Sequence, residues 1–208
     1  DIHGDDRRQR QMCIRDSKDR MYVTKSNSYA RRSAQFALFE VAEILIRLIS
    51  PILVFTAEEI WQSHELFKKQ SVSIFMASQK LLSEIESSIS DEDWKKIFAV
   101  KDAVNQSIEK ARADSTIKGS LDSKISISCD KKTFKALQKI EDELKFVFIS
   151  SEVEIAESSS SGLDIEVTNF DQKKCIRCWN KCSSVGLYAE DPEICSRCYT
   201  NVYGDGEI

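Results

Sequence analysis

Apolar residues recur at helical spacing through the first half of the chain. From Ser28 onward, alternating steps of four and three residues predict one apolar helix face, formed by Ala34, Leu38, Val41, Leu45 and Leu48. Pro51 is expected to end or kink this helix, because proline does not fit a helix interior. The stretch TAEEIW then predicts a second helix, with Thr56 as its N-cap and Glu59 as the capping-box partner. Two helices joined by a short connection indicate antiparallel neighbours in a bundle.

In the second half of the chain, the spacing of the apolar residues changes from a helical period to a period of two. A third helix is predicted from Asp91 to about Ala113, with an inward stripe of Trp94, Ile97, Phe98, Val104 and Ile108. After Gly119 the period becomes two, so a strand is predicted, with Leu121, Ser123, Ile125 and Ile127 on one side. The helical stretch KKTFKALQKIEDELKFVF and two further strands, SEVEIA and DIEVTNF, follow. The pattern predicts a mainly helical α+β protein: a helical bundle, a small α/β piece and a terminal module.

Composition narrows the class of protein. The 208 residues are 41% hydrophobic and 31% charged, which suits one or two globular domains and not a membrane protein. No apolar run approaches the roughly 18 to 20 residues that span a bilayer, and no signal peptide is evident, so a cytoplasmic location without membrane contact is expected. The net charge of −4 argues against a general nucleic-acid coat, although local basic surfaces can bind phosphate within an acidic protein.

Five of the seven cysteines lie in the stretch KCIRCWNKCSSVGLYAEDPEICSRCY. Cys175 and Cys178 form one C-x2-C pair and Cys195 and Cys198 another, a spacing typical of a four-cysteine zinc ribbon or knuckle. Two such turns place four sulfurs at about 2.3 Å around one ion and leave no position for water, so a single structural Zn²⁺ is expected. An iron centre remains an alternative, because thiolates also hold iron.

The residues around these pairs have less specific interpretations. Cys182 is interpreted as a free thiol, because the two symmetric pairs explain the site without it, and Cys129 as a small core residue. Trp179 is predicted to pack on the metal knuckle, with stacking on a nucleic-acid base as the alternative. Nearby cations offset the negative thiolate site or contact phosphate; they are Lys173, Lys174, Arg177, Lys181 and Arg197.

Residues 1–17, DIHGDDRRQRQMCIRDS, differ from the rest of the chain because they have no apolar period. The piece RQMCIRDS resembles the translation of a transposon end, so this leader is interpreted as non-native, with a disordered native tail as the alternative. The remaining sequence shows no nucleophile–histidine–acid set, no phosphate-binding glycine loop and no paired histidines. The chain by itself therefore shows no active site.

Four stretches carry a resemblance to a known family. KDRMYV, RRSAQFALFEVAEILIRLISPILVFTAEEIW, EKARADSTIKGSLDSKISI and KCIRCWNKCSSVG…ICSRC resemble, in this order, the C-terminal part of bacterial-type isoleucyl-tRNA synthetases. The resemblance covers nearly all of residues 18–208. It implies an anticodon-binding bundle over 18–118, a small α/β subdomain over 119–170 and a zinc-finger module over 171–208. The family's catalytic motifs HIGH and KMSKS are absent, and so is its editing domain.

The resemblance also implies a function and its residues. A full-length parent, a class I isoleucine–tRNA ligase, would activate isoleucine with ATP and Mg²⁺, whereas this piece is expected to be a catalytically inactive monomer that binds isoleucine tRNA. The implied zinc ligands are Cys175, Cys178, Cys195 and Cys198. The implied tRNA-binding residues are Arg31, Arg32, Lys95, Lys96, Lys173, Lys174, Arg177, Trp179 and Lys181.

Two other classes of protein remain as alternatives. Formamidopyrimidine-DNA glycosylases end in a similar finger, but they need a nucleophilic N-terminal proline followed by glutamate, and the only prolines here are Pro51 and Pro192. A zinc-ribbon module that binds protein is the second alternative, and it predicts no affinity for tRNA.

Overall fold

The computed structural model describes residues 19–78, 80, 87–158 and 162–206. The chain divides into two compact units: a helical unit of Tyr29–Glu86, and a mixed unit that joins Asp1–Ser28 to Ser87–Ile208. The leader predicted at 1–17 lies outside the described residues, and the domain limits predicted from the sequence stay a prediction. Among the helices of the described residues, none has the length and apolar character to cross a membrane.

The helical unit contains α1 (Tyr29–Ile49), α2 (Val54–Ser63), α3 (Glu65–Lys68) and a 3₁₀ turn (Ile74–Met76). Its buried core joins Ile46 of α1 to residues of the three elements that follow: Ala57, Trp61, Phe67 and Ile74. The Trp61 and Phe67 rings stack with centroids 5.1 Å apart, and the Trp61 Nε1–H donates to the Ser71 carbonyl at 3.0 Å. The indole therefore keeps its one polar atom satisfied while it fills the core.

The apolar face predicted for α1 is not the face that the structure buries. Leu38, Val41, Leu45 and Leu48 are exposed, and the buried residues of the helix are Ala30, Glu43 and Ile46. The second helix also begins at Val54, earlier than predicted, and its N-cap Leu53 makes no side-chain capping bond. Within the described part of this unit, α2 and the short elements after it are too small to cover more than one side of α1. Because α1 carries more apolar residues than one side of the helix can hold, their periodicity could not show which side is buried.

Glu43 is a buried charge in the helical unit, with a side chain 0% exposed. Arg47 Nη2 donates to it at 2.6 Å, and Lys80 Nζ donates at 2.8 Å while also reaching Glu40 at 2.7 Å. Burial raises the pKa of Glu43, but the hydrogen bonds from Lys80 and Arg47 outweigh it and hold the pKa below its usual value. The carboxylate is thus ionised inside the unit.

The mixed unit is built on a long helix and a three-stranded sheet. Its elements are α4 (Asp91–Ala113), β1 (Ser123–Cys129), α5 (Lys131–Gln138), α6 (Leu144–Phe148), β2 (Glu152–Glu157), β3 (Asp164–Asn169) and α7 (Ser196–Tyr203). The strand order is β2-β1-β3. The central strand β1 pairs parallel to β2, with Ile125 opposite Val153, and antiparallel to β3, with Ile125 opposite Val167. The predicted mainly helical α+β class is confirmed.

The core of this unit lies between α4 and the sheet. Alternate residues of β1, from Ser123 to Cys129, are buried, as the period of two predicts. They share a core with Ile97, Val104 and Ile108 of α4. The inward position predicted for Phe98 is wrong, because its side chain is 53% exposed; it directly follows Ile97 and points about 100° away from the buried stripe.

The start of α4 carries a pH-dependent contact. The Ser90 side chain caps the helix by accepting from the Asp93 N–H at 3.2 Å. The Asp93 carboxylate accepts from Lys139 Nζ at 2.7 Å and from the Ser90 hydroxyl at 2.8 Å. Lys139 and then Ser90 lower the pKa of Asp93 from 3.8 to about 2. The ionised Asp93 therefore links the start of α4 to Lys139, the C-cap of α5.

We expect a carbon-13 NMR titration to place the pKa of Asp93 well below that of an exposed aspartate. Because the folded value lies below the unfolded one, the stabilisation is fully present above about pH 4 and disappears as the pH falls through about 2. Lys139→Met removes the first of the two causes and should move the titration back toward 3.8. An unchanged midpoint in that variant would contradict the assigned cause.

Candidate metal centre and nucleic-acid interface

Two backbone turns hold the four clustered cysteines. Lys174 and Lys181 pair across the first turn as an antiparallel bridge. Inside it, the Cys175 N–H donates to the Asn180 carbonyl and the Trp179 N–H donates to the Cys175 carbonyl, both at 2.9 Å. The second pair lies at the start of α7, where Cys195 is the N-cap and Cys198 follows in the first turn. Each C-x2-C pair is therefore held by regular local hydrogen bonding.

The four sulfurs of Cys175, Cys178, Cys195 and Cys198 all lie within 4.8 Å of one another, and all four side chains are buried. The Sγ atoms of Cys175 and Cys198 are 3.7 Å apart, as are those of Cys178 and Cys195. A zinc tetrahedron with bonds of about 2.3 Å has edges of about 3.8 Å. The spacing therefore fits one structural zinc ion, bound by thiolates alone.

The electrostatics of the cluster also fit a cation. Hydrogen bonds from Cys178 and Cys198 hold the pKa of the Cys195 thiol below its usual range, whereas the Cys195 sulfur raises the pKa of Cys178. A negative charge on one sulfur therefore disfavours deprotonation of the next. A divalent cation offsets this repulsion between thiolates. The Cys195 N–H points at the Cys175 sulfur at 3.4 Å, an arrangement that favours a thiolate acceptor.

Cys182 lies beside the cluster and outside the group of four sulfurs. Its sulfur is 3.2 Å from the Ser184 hydroxyl, and its N–H donates to the Lys173 carbonyl at 3.1 Å. The structure describes it as a free cysteine, in agreement with the free-thiol interpretation. The buried, unpaired Cys129 likewise agrees with its interpretation as a core residue.

A segment distant in sequence completes the metal module. Val23 packs against the cysteines, and the Arg177 guanidinium donates to the Val23 carbonyl. Asp19 forms an ion pair with Arg197, and the Lys25 N–H donates to the Asn201 side chain at 2.8 Å. Sequence reasoning missed this packing, because no local pattern links residues 19–28 to a module about 150 positions away.

The predicted tRNA-binding residues fall into three places. On the metal module the structure brings together Lys173, Lys174, Arg177, Trp179 and Lys181. Lys173 and Lys174 are exposed there, whereas Lys181 reaches Asn169 at 3.3 Å and Asp122 at 3.4 Å. Lys95 and Lys96 lie on the first turns of α4, and Arg31 and Arg32 belong to α1 of the helical unit.

Trp179 does not pack as predicted. Its side chain is 57% exposed, and Val23, Val185 and Ile194 supply the apolar cover of the cysteines instead. Lys174 Nζ lies 5.5 Å from the centroid of the indole, a distance at which a cation and an aromatic face attract. The exposure that base stacking requires is therefore present.

Beside Trp179 opens a pocket of about 390 Å³, which we call the aromatic pocket. Its walls come from the segment that precedes α1, from α6 and from the first metal turn; they include Tyr22, Lys145, Phe146, Arg177, Trp179 and Asn180. Of these, only Arg177 and Trp179 were expected at a binding surface. Tyr22 and Phe146 join them through folding, and no binding role was predicted for either residue.

Comparison with protein families decides the assignment. Residues 10–127, more than half of the chain, match the anticodon-binding domain of tRNA ligase. The chain belongs to this anticodon-binding family. Residues 172–201 match the zinc finger found in FPG and IleRS, and this second match contains all four clustered cysteines. Because this finger occurs in two kinds of protein, it is compatible with the formamidopyrimidine-DNA glycosylase alternative. The anticodon-binding match argues against that alternative.

Relatives of this anticodon-binding chain agree with the assignment. It is 40% identical to the isoleucine–tRNA ligase of Pseudoalteromonas atlantica over 201 residues, which is 91% of this chain and 21% of the relative. It is 40% identical to that of Alcanivorax borkumensis over 92% of this chain and 22% of the relative. The ligase of a Shewanella species is 38% identical, again over 22% of its length. The chain spans about a fifth of these relatives and corresponds to their C-terminal region.

Proposed function

We propose that this chain is the tRNA-binding region of an isoleucine–tRNA ligase and that it binds the anticodon side of isoleucine tRNA. The family match over residues 10–127 carries the proposal. The whole protein would be a cytoplasmic class I enzyme that activates isoleucine with ATP and Mg²⁺ and attaches it to its tRNA. Without the motifs HIGH and KMSKS in its sequence, this chain acts by binding, as a monomer, and not by catalysis.

The metal module suits this role because its first turn, held by local hydrogen bonds, presents cations and an aromatic ring. Single-stranded RNA loops are recognised by stacking and hydrogen bonding to splayed bases, while phosphate contacts fix the register. Lys173 and Lys174 are exposed at the module's surface, next to the exposed Trp179. Zn²⁺ held by Cys175, Cys178, Cys195 and Cys198 would fix the turn that carries the ring. The metal would thus support RNA binding by fixing the structure of this turn.

We expect the double variant Lys173→Glu/Lys174→Glu to weaken binding of isoleucine tRNA and to make that binding less sensitive to salt. Each phosphate contact releases counterions, so losing two contacts should reduce the slope of log affinity against log salt by roughly 1.4 to 1.8. Fluorescence anisotropy with labelled tRNA over a series of salt concentrations measures both quantities.

Lys131→Glu/Lys132→Glu is the matched control. Both lysines are exposed in the same unit, at the start of α5, so the charge change is identical and acidic residues are favourable at a helix start. The control should keep most of the affinity and the wild-type slope. Equal losses in the two double variants would show that net charge, and not the surface of the metal module, governs binding.

A further inference from the structure

The metal module contains a fifth cysteine that the zinc site does not need. Cys182 packs against the four buried cysteines, but its sulfur lies outside the group that fits one ion. Its side chain is only partly buried, whereas Cys195 is 4% exposed and Cys198 is 0% exposed. The structure thus places one thiol that solvent can reach beside four metal-binding sulfurs.

Hydrogen bonds hold Cys182 next to Cys195. The Cys182 sulfur lies 3.2 Å from the Ser184 hydroxyl, and the oxygen of that hydroxyl accepts from the N–H and the hydroxyl of Ser196 at 3.0 and 3.1 Å. Ser196 directly follows Cys195 and is the first residue of α7. The Cys182 thiol also interacts with the Cys195 sulfur itself. The two sulfurs are therefore neighbours in the folded chain.

These two neighbouring cysteines have complementary chemistry. A cysteine that binds zinc does so as a thiolate, and the thiolate is the form of cysteine that attacks an oxidant. Cys182 is a free cysteine, so its sulfur is available to attack the sulfenic acid that oxidation of a neighbour produces. Cysteines that react reversibly with oxidants often have such a resolving thiol beside them. Cys195 and Cys182 therefore have the arrangement of an oxidisable thiolate and its resolving thiol.

We propose that Cys182 and Cys195 form a redox site at which hydrogen peroxide converts the two cysteines to a disulfide and removes Cys195 from the zinc ligands. The Cys195 thiolate attacks one peroxide oxygen, the O–O bond breaks, and a sulfenic acid and a hydroxide ion form. The Cys182 sulfur then attacks the Cys195 sulfur, the S–O bond breaks, and the departing hydroxide takes the Cys182 proton as water. The two sulfurs together lose two electrons, which the peroxide accepts.

The resolving thiol makes the loss of metal reversible. A structural zinc site uses four protein ligands, and the disulfide leaves three, so the ion should be released. Thiols reduce a disulfide back to two cysteines, whereas they do not restore a cysteine that has been oxidised to sulfinic acid. Cys182 therefore protects Cys195 from irreversible oxidation. This inference goes beyond the proposed function and does not depend on RNA binding.

Treatment of the zinc-loaded full chain with hydrogen peroxide tests the redox site. Peptide mass spectrometry should find Cys182 linked to Cys195, and a metal-indicator dye should record release of zinc as the link forms. Dithiothreitol and added zinc should then restore the original metal content. Cys182→Ser should carry its zinc before oxidation, which shows that the variant folds. After oxidation its Cys195 should proceed to sulfinic acid, and dithiothreitol should not restore the metal.

Cys13→Ser/Cys129→Ala is the matched control, because it removes the two other cysteines outside the zinc cluster and keeps the proposed pair. It should form the same disulfide and recover its metal as the wild type does. The inference is overturned if Cys182 stays unlinked after oxidation, or if peroxide instead links two of the zinc ligands to each other. Full recovery of zinc in oxidised Cys182→Ser would overturn it as well.

Discussion

A Cys198→Ser chain is expected to lose its zinc and, with it, the fold of the two cysteine turns and of α7. The Cys198 sulfur is fully buried, 3.7 Å from that of Cys175, so no solvent ligand can easily replace it. Few apolar side chains support the module: Val23, Val185 and Ile194 are the buried aliphatic residues around the cysteines. Binding of structural zinc contributes about 10 to 16 kcal/mol in small zinc modules, far more than such a core supplies.

Native mass spectrometry and amide exchange test this expectation together. The wild-type chain should carry one zinc ion, and Cys198→Ser should carry none and lose protection in α7. Cys182→Ser is the matched control, because Cys182 lies beside the cluster and outside the group of four sulfurs; it should keep both the metal and the protection. Full zinc content in Cys198→Ser, or zinc loss in Cys182→Ser, would contradict the four-ligand assignment.

Glu43→Ala should destabilise the helical unit by about 3 to 5 kcal/mol, the cost of breaking a buried ion pair from one side. Removing the carboxylate leaves Arg47, whose side chain is only 12% exposed, without its ionic partner. It also releases one of the two acidic partners of Lys80. Because the folded pKa of Glu43 lies below its usual value, the stabilisation is present above that value and disappears as the pH falls through the folded pKa.

Amide exchange in α1 and α2 reports this loss for the helical unit alone. Glu65→Ala is the matched control, because Glu65 pairs with Lys68 in the same unit but its side chain is 76% exposed. An exposed pair contributes at most about 1 kcal/mol, so the control should change little. A loss in Glu43→Ala as small as that of the control would show that the charged cluster does not hold the helices together.

Local sequence patterns correctly predicted the elements that depend mainly on residues close together in the chain. The change of period at Gly119 predicted β1, and the helix predicted from Asp91 to about Ala113 has these bounds in the structure. The four cysteines could be predicted as one cluster because two C-x2-C turns require little more than their spacing. In each case the residues that decide the structure lie close together in the sequence.

Tertiary packing determined the parts that the sequence did not predict. Which side of α1 is buried depends on the size of the elements that pack on it, and that size is not encoded in the period of α1. Val23, from the other end of the chain, is among the residues that cover the cysteines, whereas Trp179 is exposed. Tyr22 enters the aromatic pocket through the same long-range packing.

The most direct test of the central claim is the affinity of this chain for isoleucine tRNA, compared with the same tRNA carrying the anticodon loop of another tRNA. If the chain recognises the anticodon side, the native loop should be bound more tightly at every salt concentration, and the preference should persist as salt weakens the phosphate contacts. Equal affinity for the two tRNAs would contradict an anticodon-binding role for this chain.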